Sequence, residues 1–393
     1  MTAAGTPTIL VTALIVAVAL TLLLTGINPA QHDGPGLSAM AKAPPTAPSK
    51  RWGAQMAYDP MEGYTLLFGG SAGGVRQNGV IYGDTWTYSA GTWTDISPLK
   101  CTNATCPRDE SYGGLSYYDA KGQQYMVLFG GRSSGNLTDD TWIFNGSWHN
   151  VTPTKLVPSR NSPPPLNYVA MTWDAKDHRD VLYGGCSTGC NRRSVSSYET
   201  WTFMGLNSAG KAVWKNRTTA IHPPGLYSEG LVYDAKDGYV LLFGGGLPGT
   251  ETYLNQTWSY TAATGWINRT AASFNASNTP PFVGIIPGQL AYDPILHSVL
   301  LFGGQHFWAS PTAGDKTANA TLNETWLYSG GVWKNISTAQ SPHPRFGAAM
   351  TFDVPEGAII LFGGLGGTGA KWTSPLLGDT WWFTGTWSNR TVS

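Results

Sequence analysis

The sequence predicts an all-β fold: a six-bladed β-propeller of four-stranded antiparallel blades, preceded by one N-terminal transmembrane helix or signal segment. Three observations lead there. An apolar run closed by two glycines recurs six times, at 66–70, 127–131, 181–185, 241–245, 300–304 and 360–364, in steps of 61, 54, 60, 59 and 60 residues. An aromatic-Asp step stands ten residues before each glycine pair, eleven in the second repeat, and a Thr-Trp-x-aromatic segment follows each pair. A fixed period of this size marks units that bury their faces only against their neighbours.

Each unit reads as four strands. The first is small and apolar and ends on the aromatic-Asp step: Tyr58-Asp59, Tyr118-Asp119, Trp173-Asp174, Tyr233-Asp234, Tyr292-Asp293 and Phe352-Asp353. A tight polar turn leads into the second strand, the apolar run, whose glycines allow a sharp exit. In the third strand, as in Thr85-Trp86-Thr87-Tyr88, Trp and the later aromatic are two apart and share one sheet face. A second tryptophan (Trp93, Trp148, Trp214, Trp266, Trp333, Trp387) opens the fourth strand. The blades run approximately 51–97, 108–152, 164–218, 224–270, 284–337 and 344–393, so the chain starts on a first strand and ends on a fourth, with no strand exchanged between the ends.

These residues resemble the kelch repeat, in which a strand ends in Gly-Gly, a spaced aromatic strand follows, and a Trp comes about six residues later. The resemblance covers residues 51–393 and implies the propeller fold. It leaves function open, because kelch propellers include enzymes, adaptors and adhesive modules.

Composition agrees with many short strands: 49 glycines, 17 tryptophans and 18 tyrosines in 393 residues. Only 12% of residues are charged, about half the usual quarter. Lys and Arg balance Asp and Glu at 24 each, so no basic face for nucleic acid is implied. A sparsely charged surface rich in Ser, Thr and Asn fits the outside of a cell, and also an acidic medium.

Residues 1–27 hold a charge-free apolar stretch from Thr8 to Ile27, long enough as a helix of about 30 Å to span a bilayer. It exceeds an ordinary signal-peptide core and reads as an uncleaved anchor, with a removed signal as the alternative. Lys42, Lys50 and Arg51 follow it and by charge bias would favour the cytoplasm. The features described next favour a propeller outside, at the cell membrane or secreted. Residues 28–50 are proline-rich and read as a linker.

Four cysteines form two local pairs, Cys101/Cys106 and Cys186/Cys190, read as two loop-stapling disulfides, with a shared zinc site as the alternative. Twelve Asn-x-Ser/Thr sequons occur, at Asn103, Asn136, Asn145, Asn150, Asn216, Asn255, Asn268, Asn275, Asn319, Asn323, Asn335 and Asn389. Their number points to N-glycosylation. Five of them stand two residues after a fourth-strand Trp, where an Asx turn would account for the Asn but less readily for the Ser or Thr. All except Asn145 fall on the face formed by the loops after second and fourth strands. That leaves the short-turn face bare and free for partners.

No catalytic constellation has specific spacing, and no metal or cofactor is expected. Low-level binding candidates remain. Arg76, Arg132, His306, Trp308 and Trp372 lie in the loops after the glycine pairs, where aromatics beside polar groups suit carbohydrate stacking. Arg51 and Arg345 open innermost strands, as ligand contacts or as solvated strand-end charges. Glu229 is the one acidic residue in the innermost strands and would face the central channel as an acid/base group. The expected role is a membrane-tethered recognition module for a protein or glycan. The rival is a secreted carbohydrate-active enzyme of the mutarotase or oxidase sort; copper-oxidase chemistry would need a Tyr–Cys cross-link, and every cysteine here sits in a local pair.

Overall fold

The computed structural model describes residues 46–73, 79–99, 101–102, 105–108, 111–133, 136–154, 161–187, 196–250, 252–274, 278–281, 283–284, 289–307, 319–367 and 375–391. The Thr8–Ile27 stretch lies outside them. Among the described residues no helix is long and apolar enough to cross a membrane.

Six antiparallel four-stranded blades follow one another along the chain. They are built from Gln55–Asp59, Tyr64–Phe68, Thr85–Ser89 and Thr92–Asp95; Gly114–Ala120, Gln123–Phe129, Thr141–Phe144 and Trp148–Asn150; and Asn167–Asp174, Arg179–Cys186, Thr200–Leu206 and Ala212–Asn216. The second half repeats the plan with Tyr227–Asp234, Tyr239–Gly246, Thr257–Thr261 and Gly265–Asn268; Leu290–Asp293, Ser298–Phe302, Thr325–Ser329 and Val332–Asn335; and Ala349–Asp353, Ala358–Gly366, Leu376–Phe383 and Trp387–Asn389. In blade six the first strand is broken at Gly347, and Arg345–Phe346 pairs separately with the second strand.

A second strand buried on both faces must send alternate side chains to two different neighbours. Leu66 and Phe68 pack into a cluster with Leu115, Leu128 and Trp148 of blade two, while Leu67 packs with Ile360 and Phe362 of blade six. Six such clusters join blades one–two, two–three, three–four, four–five, five–six and six–one. The ring is therefore closed by packing, and every strand of a blade comes from one continuous stretch of chain.

Two polar devices repeat at the junctions. The fourth-strand Trp donates its indole N–H to the third-strand Thr hydroxyl of the preceding blade: Trp148 to Thr85, Trp214 to Thr141, Trp266 to Thr200, Trp333 to Thr257 and Trp387 to Thr325, at 2.8–3.1 Å. Trp93 closes the series on Thr380 at 3.0 Å. These bonds satisfy buried indoles that would otherwise be costly to bury.

The glycine pair serves the second device. Its second amide donates to the carbonyl of the residue leading into the next blade: Gly131 to Leu166, Gly185 to Leu226, Gly245 to Val283, Gly304 to Arg345, and Gly364 to Arg51 across the closure. A Cβ on Gly363 would stand 2.6 Å from the Arg51 carbonyl, and one on Gly303 2.5 Å from that of Arg345. Both glycines also hold φ near +68°. The absence of a side chain is what lets consecutive blades dock there.

Blade two departs from the expected register. Tyr117, not Tyr118, pairs with Met126 at the aromatic position that Tyr58 and Trp173 occupy in their blades, and Tyr118 fills the place of the Asp. Its hairpin closes on two residues, Lys121 and Gly122, both at positive φ, as a tight two-residue turn requires. Asp119 is displaced to an exposed place near the end of the first strand, opposite Gln124, from whose side-chain amide it accepts. The extra residue counted in this repeat is that hairpin extension.

Candidate functional site

The loops after the second strands and the chain leading into the first strands meet on one face. The sequence places five large aromatics at or just before the start of first strands here: Trp52, Tyr112, Tyr168, Tyr227 and Phe346. Trp52 packs edge-on against Tyr112 (5.0 Å) and Phe346 (5.4 Å), and Tyr112 stacks on Tyr168 at 4.3 Å. Tyr227 lies between Tyr168 and Tyr253, each 6.3 Å away.

Backbone bonds hold the layer. Gly53 donates to Gly347, Tyr112 to Gly53 and Tyr168 to Tyr112, so four blades are laced together around the axis. Tyr112 and Tyr168 take φ of +65° and +53°, values that Gly53 and Gly347 adopt without strain at the matching positions. For tyrosine this conformation is unfavourable, and the two rings that adopt it stack on each other.

Burial, then the neighbouring Tyr168, holds the Tyr112 phenol well above its ordinary pKa, while Ser111 and Arg132 pull it down. Burial pushes the Tyr168 phenol up to about 12, against the pull of Tyr112 and Arg132. Tyr253 is raised by burial and by Tyr227, and its hydroxyl reaches Gln305 at 3.5 Å. Neutral phenols beside an arginine and an amide form a hydrogen-bonding platform with aromatic faces; they supply no base at neutral pH.

Of the residues expected here, Arg132 is half-buried and bonded through its backbone to Ser111, on the rim of the tyrosine layer. His306 sits in a short hairpin strand, Gln305–Phe307 against Asn319–Thr321. Arg76, Trp308 and Trp372 lie outside the described residues.

Arg51 and Arg345 belong elsewhere. Each is essentially inaccessible, at 1% and 0% exposure, which corrects both the ligand-contact and the solvated-charge expectation. Arg51 grips Asp84 through two bonds of 2.5 and 2.7 Å, donates to the Gly69 carbonyl and lies over the Tyr82 ring. Arg345 repeats this with Asp379 (2.7 and 2.8 Å) and the Gly363 carbonyl. The Arg345 guanidinium outweighs the burial of Asp379 and holds that carboxyl below its usual range. Both arginines clamp, within their own blade, the exit of the second strand to the residue that leads into the third, in the bidentate geometry a guanidinium favours.

Glu229 also departs from its expected place. The left-handed φ of +57° at Ser228 turns the strand, and Glu229 points away from the channel into the junction with blade three. Its carboxyl fills the space where Gly184 lacks a Cβ, its exposure is 0%, and neither oxygen has a hydrogen-bond partner. Burial pushes its pKa up to about 8. A sealed, neutral acid cannot reach a substrate.

The cysteine expectation holds for Cys101 and Cys106, which are bonded with Cα atoms 5.6 Å apart. Cys186 is also disulfide-bonded, and Cys190 lies outside the described residues. Among the described residues no group of three or more His, Cys, Asp or Glu could hold a metal.

The five sequons after fourth-strand tryptophans have a structural cause that accounts for both their residues. Asn150, Asn216, Asn268, Asn335 and Asn389 each accept from the backbone amide two residues on, at 2.9–3.0 Å. The hydroxyl of that second residue then accepts the amide of the third-strand Thr: Thr152 from Thr141, Thr218 from Thr200, Thr270 from Thr257, Ser337 from Thr325 and Thr391 from Thr380. Asp95 and Ser97 make the same two bonds in blade one without forming a sequon. The expectation that a turn would leave the Ser or Thr unexplained is thereby corrected. Asn255 is 8% exposed with its amide nitrogen committed to the Pro280 carbonyl, a poor acceptor for a glycan. Asn136, Asn145 and Asn323 are exposed, and Asn103 and Asn275 lie outside the described residues.

No family model and no curated protein matches the chain.

Proposed function

We propose that the chain is a kelch-type propeller held outside the cell by its N-terminal segment, and that its loop face binds a protein or glycan without transforming it. The observation that carries this reading is the laced tyrosine layer at the centre of that face. The half-buried Tyr168 and Tyr227, braced on the buried Tyr112 and Tyr253 and set beside Arg132, offer ring faces and hydroxyls, the combination that stacks and orients a sugar or a polar side chain. The kelch reading is supported by the roles found for its signature residues: glycines that dock the next blade and tryptophans that bridge to the previous one. Glycosylation is proposed only for the exposed sequons outside the repeated turn, at Asn136, Asn145 and Asn323.

A glycan array and a surface-protein binding screen test the reading, run on the propeller and on its Arg132→Ala and Tyr168→Phe variants. Binding weakened about tenfold or more by either substitution, with no product released from the bound ligand, is the expected result. Turnover of the ligand, or binding indifferent to both substitutions, would overturn it.

A further inference from the structure

The opposite end of the axis carries a second site. The first strands of all six blades line a cavity of about 250 Å³. Its wall is Met56, Leu115, Met171, Leu290 and Met350, with small hydroxyls at Ser116, Thr172 and Thr351. At the short-turn end, five half-buried aromatics, one per blade, line it: Tyr58, Tyr117, Trp173, Tyr292 and Phe352. Towards the other end it is lined by Gln55, Gly113 and Gly114.

Behind these rings stand fixed carboxylates. Asp59, Asp174, Asp293 and Asp353 each follow a lining aromatic, and Asp234 follows Tyr233 at the matching place in blade four. All five are buried, and each turns one oxygen to the amides of its own turn, as Asp174 does to Lys176 and Asp177. The chain as a whole is neutral, but the six stretches from the aromatic step to the second strand (59–64, 119–124, 174–180, 234–239, 293–298 and 353–358) hold ten Asp and Glu, besides the buried Asp180 whose pKa is pushed up to about 8, against four Lys and Arg. Three of those four cations are tied sideways to neighbouring blades: Lys121 to the Met204 carbonyl, Lys176 to that of Gly238, and Lys236 to the Ser329 hydroxyl. Among the described residues no Lys or Arg lines the cavity.

We propose that this mouth binds a compact organic cation of the quaternary or alkylated ammonium class, its charge held against the aromatic faces and its alkyl groups inside the methionine-lined wall. Ring faces carry negative quadrupole potential and attract a weakly hydrated cation, and desolvation inside a cavity strengthens that attraction. Apolar walls would accept any small hydrocarbon, but the ring of buried aspartates adds a field that only a cation exploits. The same field acts on the phenols: after burial, Asp353 and Asp59 raise Tyr58, and Asp234 and Asp293 raise Tyr292. The cavity sits at the lower end of small-molecule pockets, which suits one compact ligand rather than a sugar chain. This site is independent of the loop face, and the failure of either reading leaves the other standing.

Isothermal titration calorimetry at pH 7.5 with choline, tetramethylammonium and the neutral isostere 3,3-dimethyl-1-butanol is the test. Binding of both cations at least about tenfold tighter than the isostere is expected, with choline about tenfold weaker on Trp173→Leu. Because Trp173 also packs on Tyr118 at 5.2 Å, Phe352→Leu provides a second variant with the same expected direction. The Arg132→Ala variant should leave choline binding unchanged. Equal binding of cation and isostere, no heat with either cation, or cation binding unaffected by both mouth variants would overturn the proposal.

Discussion

Replacing Glu229 by Gln removes a charge the fold must suppress. The unfolded chain titrates this carboxyl near 4.5, whereas the native site holds it protonated up to about 8. Below pH 4.5 both states carry the proton and the site is silent. Between 4.5 and 8 only the unfolded state releases it, so native stability falls as pH rises, by up to about 5 kcal/mol over that window at about 1.4 kcal/mol per pH unit. Full burial means that solvent screening does not reduce this figure. The Glu229→Gln variant loses the slope but buries an extra N–H donor, costing about 1–3 kcal/mol at acid pH. The two stability curves should therefore cross between pH 5 and 8. Guanidinium denaturation at pH 5.0, 6.5 and 8.5, followed by tryptophan fluorescence, measures it. The reasoning fails if the variant is the less stable protein at pH 8.5, or if the two proteins keep a constant difference across the range.

Asp180, fully buried with its pKa pushed up to about 8 despite a bond from Ser116, should behave alike: Asp180→Asn is expected to remove a further part of the pH slope in the same titration. Arg345→Ala should cost about 1–3 kcal/mol in thermal or denaturant unfolding, because it leaves the half-buried Asp379 without its guanidinium and the buried Gly363 carbonyl without that donor; no measurable loss would contradict the clamp. Asn335→Asp preserves the turn acceptor, as Asp95 does in blade one, and should change stability by less than about 0.5 kcal/mol, whereas Asn335→Ala should cost about 1 kcal/mol. Intact-mass measurement of the same variants shows whether a glycan is lost with the side chain.

Much of the fold was legible because its cause is local and periodic. The second strand, the glycine pair and the two tryptophans recur in register, and the fourth-strand tryptophan makes the same contact in blade after blade. The site was less legible. Tyr112 and Tyr168 matter through a left-handed backbone that sequence assigns to glycine, and Gly53 and Gly347 at the matching positions hide the correspondence. Their only signal was a large aromatic around the start of a first strand. Arg51 and Arg345 find carboxylates 33 and 34 residues downstream, a separation at which pattern reading has no hold. Glu229 was expected at the channel because it stands in an innermost strand, and the left-handed backbone at Ser228 sends it into the junction instead. The sequons misled because one Asn-x-Ser/Thr tripeptide serves both a glycosylation acceptor and a paired turn-and-amide cap.

The account rests on a closed ring in which the first and last blades meet as the other pairs do. Trp93→Phe removes the indole bond to Thr380 at that closure, and Trp266→Phe removes the bond to Thr200 at an internal junction. Measured side by side in denaturant, both should lower stability by a similar amount, about 1–3 kcal/mol, within one cooperative transition. A clear loss for Trp266→Phe with none for Trp93→Phe would show that the first and last blades do not meet.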